Sequence, residues 1–188
     1  MKKGIRLIAL LGTVILLVII MILVTGHSHR HFLKQAYPIA YQEYVSAAAE
    51  KYDVEPALIY AVIKTESDFN PIAQSRAGAV GLMQIMPNTF DWLKSKTDEE
   101  IDVSALEDPE INIRYGTFLL SILLERYQVE GVAICAYNAG IGAVDRWLSD
   151  SELSEDQQSL LRVPYPETDQ YLERVLESRG MYRSLYFQ

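Results

Sequence analysis

The chain has 188 residues, enough for one domain and an appendage, and a formal net charge of −8. Residues 1–31 hold four basic and no acidic side chains, which leaves 13 basic against 25 acidic in 32–188, a net of −12 that disfavours nucleic-acid binding. The single cysteine, Cys135, excludes an intrachain disulfide, and the three histidines, confined to Gly26–His31, offer it no partner for nucleophilic catalysis.

The first element in chain order is 7–24, eighteen residues without a charge. At about 1.5 Å per residue it is long enough to cross most of a bilayer's hydrocarbon core as a helix. Lys2, Lys3 and Arg6 precede it and favour a cytoplasmic N-terminus for residues 1–6. The competing reading is a cleaved signal peptide. The run exceeds the usual ~7–15 residues of such a peptide, and Leu23-Val-Thr-Gly26 makes a poor cleavage site. No cysteine stands nearby for a lipid anchor. The expectation is an uncleaved, single-pass signal anchor held in membrane lipid, with the rest of the chain on the extracytoplasmic side.

Residues 25–36 read as a juxtamembrane stalk, reaching at most ~40 Å when extended. Its His-Ser-His-Arg-His tract could hold a transition metal weakly. No cysteine or carboxylate completes a ligand set, so a solvated stalk without metal is the better reading.

Residues 37–188 are expected to form one domain, and about 155 residues suffice to bury ~70% of the unfolded surface in a single core. Helices are predicted over 39–52, 56–66, 88–96, 109–127, 129–138, 143–148 and 168–182. The 109–127 segment has the clearest period, with Ile111, Tyr115, Phe118, Leu119, Ile122 and Leu123 on one face behind an Asp108-Pro109 start. No stretch alternates persistently as a strand, although 75–85 could hold a small hairpin. Segments 96–102 and 149–158 are polar, acidic surface connections. Cys135, between Ile134 and Ala136, reads as a small buried hydrophobe.

The segment richest in chemistry is Tyr60-Ala-Val-Ile-Lys-Thr-Glu-Ser-Asp-Phe-Asn-Pro71. Ala57, Leu58, Ile59, Ala61, Val62 and Ile63 make its helix apolar on most of its surface, so the helix should be buried. Pro56 fits the first turn, and Asn70-Pro71 marks a stop soon after Glu66. Desolvation there raises a carboxyl pKa, and an acid still protonated near neutral pH can hand a proton to a leaving oxygen. Read alone, Glu66 is more simply a helix-end carboxylate in a structural hydrogen bond.

Further segments change that reading. Ser75-Arg-Ala-Gly-Ala-Val-Gly-Leu-Met-Gln-Ile-Met-Pro87 combines glycines that permit close ligand approach with the donor and acceptor of Gln84. Ala136-Tyr-Asn-Ala-Gly140 places an aromatic and an amide at a helix end. With Glu66-Ser67 and Pro164-Tyr-Pro-Glu-Thr-Asp-Gln-Tyr171, they resemble, in order, the catalytic domain of the lytic transglycosylases, which share a fold with goose-type lysozyme. The resemblance covers about 37–182. It implies an all-α, lysozyme-like domain in two lobes, behind the transmembrane helix, with a sugar cleft between the lobes.

It also implies a function: cleavage of peptidoglycan glycan strands between N-acetylmuramic acid and N-acetylglucosamine, leaving a 1,6-anhydro end, with no metal or cofactor. Glu66 would act as acid and then as base. Ser67, Met83, Gln84, Tyr137, Asn138 and Tyr171 would bind substrate: the Gln84 amide on sugar, the Met83 thioether on a ring face, the Tyr171 hydroxyl orienting Glu66 or the acetamido group. Asn138 could instead be structural. A hydrolysing glycosidase needs a second carboxylate ~5–9.5 Å away. Asp68, two residues on, does not face Glu66 along a helix, and Glu167 reads as a buried, structural hydrogen-bonding group. The alternatives are a lysozyme-type hydrolase of the same glycan and a silent cell-wall-binding module.

Overall fold

The computed structural model describes Met21 and residues 30–97 and 99–187. Apart from Met21, the expected membrane span 7–24 lies outside these residues, as do 1–6 and most of the histidine tract. No helix among the described residues is long and apolar enough to cross a membrane. The chain divides into two units at Pro38/Ile39. In the first, residues 30–36 are helical.

The second unit, Ile39–Gln188, is helical throughout its regular structure. Its helices are α1 (Gln42–Tyr52), α2 (Pro56–Ser67), α3 (Pro87–Lys94), α4 (Pro109–Tyr127), α5 (Glu130–Ala139), α6 (Ile141–Ser149) and α7 (Pro166–Tyr186), with a 3₁₀ turn at Val103–Glu107 before α4. The all-α expectation holds, with boundaries moved by a few residues. α1 starts at Gln42 because Tyr41 is left-handed, φ 58°, and α7 runs on to Tyr186. The 3₁₀ turn was not predicted.

Local chemistry sets the ends. Proline fills the first turn of α2, α3, α4 and α7, where its missing N–H costs nothing. The Asp108 carboxylate accepts from the Glu110 N–H at 2.9 Å and the Ile111 N–H at 3.1 Å, capping α4. α2 stops where Asp68 turns left-handed, one residue past Ser67, and its N–H donates to the Lys64 carbonyl.

α2 is the central helix. Residues 57–63 are buried without interruption, so it has no solvent face for most of its length. Each large aliphatic side chain buried there contributes roughly 1.5–3 kcal/mol. It packs chiefly on α7, where the Tyr60 and Tyr182 rings stack at 5.3 Å, while α5 packs on α4 and α7. Glu55, just before α2, pairs with Arg179 and Arg183 of α7, and Arg179 also pairs with Glu130 at the start of α5. The starts of α2 and α5 are thereby tied to the far end of α7.

Candidate active site

The 75–85 segment is a compact loop rather than a hairpin with strands, held by isolated bridges Gln74–Val80 and Val80–Ile85. Its tightest point is Gly81, φ 82°. A Cβ there would stand 2.1 Å from the Asn112 amide nitrogen and 2.6 Å from the Leu106 carbonyl, so only glycine fits. Asn112, on α4, is 1% exposed. It accepts from the Met83 N–H at 2.7 Å and donates to the carbonyls of Val80 and Leu106 at 2.9 and 2.8 Å. The loop is thus fastened to α4 by one buried amide, a residue that sequence reasoning missed because a lone asparagine on an apolar face carries no pattern.

Glu66 sits in the last turn of α2, half-buried. Burial pushes its carboxyl up to about 7, against the opposing pull of the Tyr171 hydroxyl and the Arg174 guanidinium. Tyr171, 2% exposed, has its hydroxyl near enough to act on Glu66, yet that hydroxyl closes no hydrogen bond of good geometry. Imperfectly aligned contacts of this kind commonly tighten when substrate binds. Tyr137 donates to the Met83 carbonyl at 2.8 Å, and burial together with the Glu66 charge pushes its phenol well above 10. Glu66, Tyr137 and Tyr171 therefore converge from the ends or starts of α2, α5 and α7.

The other expected site residues fall around this group in different ways. The Ser67 hydroxyl donates to the Leu82 carbonyl at 2.8 Å, linking the end of α2 to the loop. Gln84 is left-handed, φ 49°, and its amide nitrogen donates to the Gly81 and Ala73 carbonyls at 2.8 and 3.1 Å. Its NH₂ group, expected to meet sugar, is consumed in holding the loop. Asn138 accepts from the Thr168 hydroxyl at 2.8 Å, which joins α5 to the first turn of α7.

Two expectations are corrected. Met83 is fully buried with its thioether toward Gly116 of α4, where a Cβ would stand 2.4 Å from the sulfur, so its side chain belongs to the core and faces no sugar. Its main chain, taking the Tyr137 hydroxyl, is what it offers the site. Glu167 is exposed instead of buried, in the first turn of α7, where a carboxylate sits favourably by the positive helix end. The Tyr171 hydroxyl and the Arg174 guanidinium are the side chains that pull the Glu66 carboxyl down against its burial.

Residues 43–160 match the family described as the Transglycosylase SLT domain. The chain is 34% identical over 166 residues to the membrane-bound lytic murein transglycosylase C of Actinobacillus pleuropneumoniae, covering 76% of this chain and 45% of the relative. It is 32% identical over 155 residues to the soluble lytic murein transglycosylase of Salmonella typhimurium, covering 80% and 24%. An inactive mutant of the lytic transglycosylase Slt from Pseudomonas aeruginosa superposes with a TM-score of 0.71 at 30% identity, covering 81% of this chain and 25% of that one. The chain spans less than half the length of these relatives.

Proposed function

The chain belongs to the lytic transglycosylase SLT family, and from that premise we propose that it cleaves peptidoglycan glycan strands without consuming water, using Glu66 as both acid and base. The observation that carries this reading is a half-buried carboxyl pushed up to about 7 beside the phenols of Tyr137 and Tyr171. Such a group is about half protonated at neutral pH, so it can both give a proton and take one back.

Glu66 gives its proton to the oxygen bridging N-acetylmuramic acid and N-acetylglucosamine, and the bond from that oxygen to the muramic anomeric carbon breaks. The muramic N-acetyl carbonyl stabilises the positive anomeric centre. Glu66, now a carboxylate, takes the proton from the C6 hydroxyl of the same sugar as its oxygen closes on the anomeric carbon, forming the 1,6-anhydro ring. The acid is thereby restored. Tyr171 orients the carboxyl, and Tyr137, anchored on the Met83 carbonyl, forms the opposite wall. Ser67, the Gln84 carbonyl oxygen and Asn138 bind sugar from the loop and the end of α5, in a cleft between two lobes.

The second part of the proposal is location. Residues 7–24 anchor the chain as a single-pass helix, residues 25–36 form the stalk, and the domain works on the wall side of the membrane. The membrane-bound name of one relative supports a cell-envelope setting.

Product analysis tests the reaction. Mass spectrometry of isolated peptidoglycan digested by the protein is expected to give anhydro-muramic ends, one water lighter than hydrolytic ends. Products that carry the added water assign the protein to hydrolysis instead.

A further inference from the structure

The two phenols beside Glu66 differ in where their protons go. The Tyr137 proton is committed, because its hydroxyl donates to the Met83 carbonyl at 2.8 Å. The Tyr171 hydroxyl closes no hydrogen bond of good geometry and pulls the Glu66 carboxyl down. A phenol has a single proton, so Tyr137 can offer a neighbouring carboxyl only its oxygen lone pairs. Lone pairs suit the protonated acid and repel the carboxylate. The groups that hold the Met83 carbonyl in place therefore bear on the acid. The Leu82 carbonyl and the Met83 N–H belong to one planar peptide group. Ser67 donates to its oxygen at 2.8 Å, and Asn112 accepts from its nitrogen at 2.7 Å. The next peptide group carries the Met83 carbonyl and the Gln84 N–H, which donates to the Gly81 carbonyl at 3.2 Å. Two successive peptide planes are thus gripped at both edges. Asn112, 1% exposed, grips them from the core, and its amide nitrogen, held on the Val80 and Leu106 carbonyls, fixes which way its oxygen faces.

We propose that Asn112 is a positioning residue for the acid: by fixing the Leu82–Met83 peptide it keeps the Tyr137 proton on the Met83 carbonyl and withholds it from the Glu66 carboxylate. The inference deepens the reading of Glu66 as the proton donor and rests on it. The other charged and titratable groups around Glu66 have separate duties. Tyr171 and Arg174 of α7 pull its carboxyl down, Tyr137 of α5 feels its charge, and on α2 itself Lys64 pairs with Asp68 at 2.5 Å. A second phenol donating to Glu66 would add to the pull of Tyr171 and leave less of the acid protonated at neutral pH. The buried amide on α4 thereby assigns opposite parts to the two phenols: Tyr171 donates to the carboxyl, and Tyr137 is kept from doing so.

The test is a carbon-13 NMR titration of the Glu66 carboxyl in the full-length chain in detergent, with Glu66→Gln identifying the resonance. The wild-type midpoint is expected at about 7. Asn112→Ala lets the Tyr137 hydroxyl turn to the carboxylate, and the midpoint should fall by about one pH unit, the scale of one hydrogen bond to a charged group. Tyr137→Phe alone should move it much less, and in that background Asn112→Ala should no longer move it. A merely loosened fold would shift the midpoint in both backgrounds, so the cancellation separates positioning from stability. Ser67→Ala releases the same peptide from its other edge without opening the core, and it decides the matter where Asn112→Ala does not fold. Its effect should have the same direction and should also vanish with Tyr137→Phe. A midpoint that stays in place in the folded release variants, or a fall that survives Tyr137→Phe, overturns the proposal. The titration needs no substrate. The expected shifts in a protein whose digests contain no anhydro ends would sink the transglycosylase reading and leave this one standing.

Discussion

The Tyr137 hydroxyl donates to the main-chain carbonyl of Met83 across 2.8 Å, joining the end of α5 to the loop that begins after α2. Met83 can accept it because its side chain is buried toward Gly116 and its N–H is held by Asn112. A phenol fixed in this way stands beside the Glu66 carboxyl without being free to rotate toward solvent. The chemistry of the site thus depends on residues that touch no substrate.

Replacing Glu66 by Gln is expected to lower the cleavage rate by about 10²–10⁴-fold, the usual contribution of a positioned general acid. Release of anhydro ends from isolated peptidoglycan is the measurement. Full activity in the variant would remove Glu66 from the mechanism.

The pH profile follows from the same carboxyl. Its first act is to donate, so the protonated form begins the cycle, and kcat/KM is expected to fall as pH rises through about 7. A profile that stays flat up to pH 9 contradicts that assignment.

Stability also falls as pH rises, over a lower range. Glu66 binds its proton more tightly folded, at about 7, than unfolded, near 4.5, so its ionisation destabilises the fold as pH rises between those values. Glu66→Gln is therefore expected to be more stable than wild type above pH 7, by roughly 1–3 kcal/mol, with the gain absent below pH 4.5. Urea unfolding at pH 4 and pH 8 measures both ends.

Tyr171→Phe separates orientation from stability. The Tyr171 hydroxyl is buried without a hydrogen bond of good geometry, so its removal should change the unfolding free energy by no more than about 1 kcal/mol. Activity should fall about 10-fold. Because that hydroxyl pulls the Glu66 pKa down, the alkaline limb of the profile should move upward. An unchanged limb would mean that Tyr171 does not act on the acid.

Gly81→Ala and Asn112→Ala probe the loop anchor. The first forces a Cβ onto the Asn112 amide at a left-handed position, and the second strands the Met83 N–H and two carbonyls. Each is expected to cost about 2–4 kcal/mol, and the pair to cost less than the sum because they share one contact. Additive losses in chemical denaturation would show that the two sites do not communicate.

The amino-acid sequence by itself determined the helical class and the burial of α2, because apolar periodicity and proline placement are local properties of the chain. Glu66, Tyr137 and Tyr171 entered as candidates through the resemblance of several motifs taken in order. The sequence could not decide which atoms of those motifs face the site, since that depends on groups distant in the chain. The space that Gly116 leaves for the Met83 side chain, the use of the Gln84 amide on Ala73 and Gly81, and the exposure of Glu167 are all outcomes of packing. Only the folded pairing of α2 with α7 brings the Tyr171 hydroxyl to act on a carboxyl more than a hundred positions earlier, and no local pattern can report a distance set by that pairing.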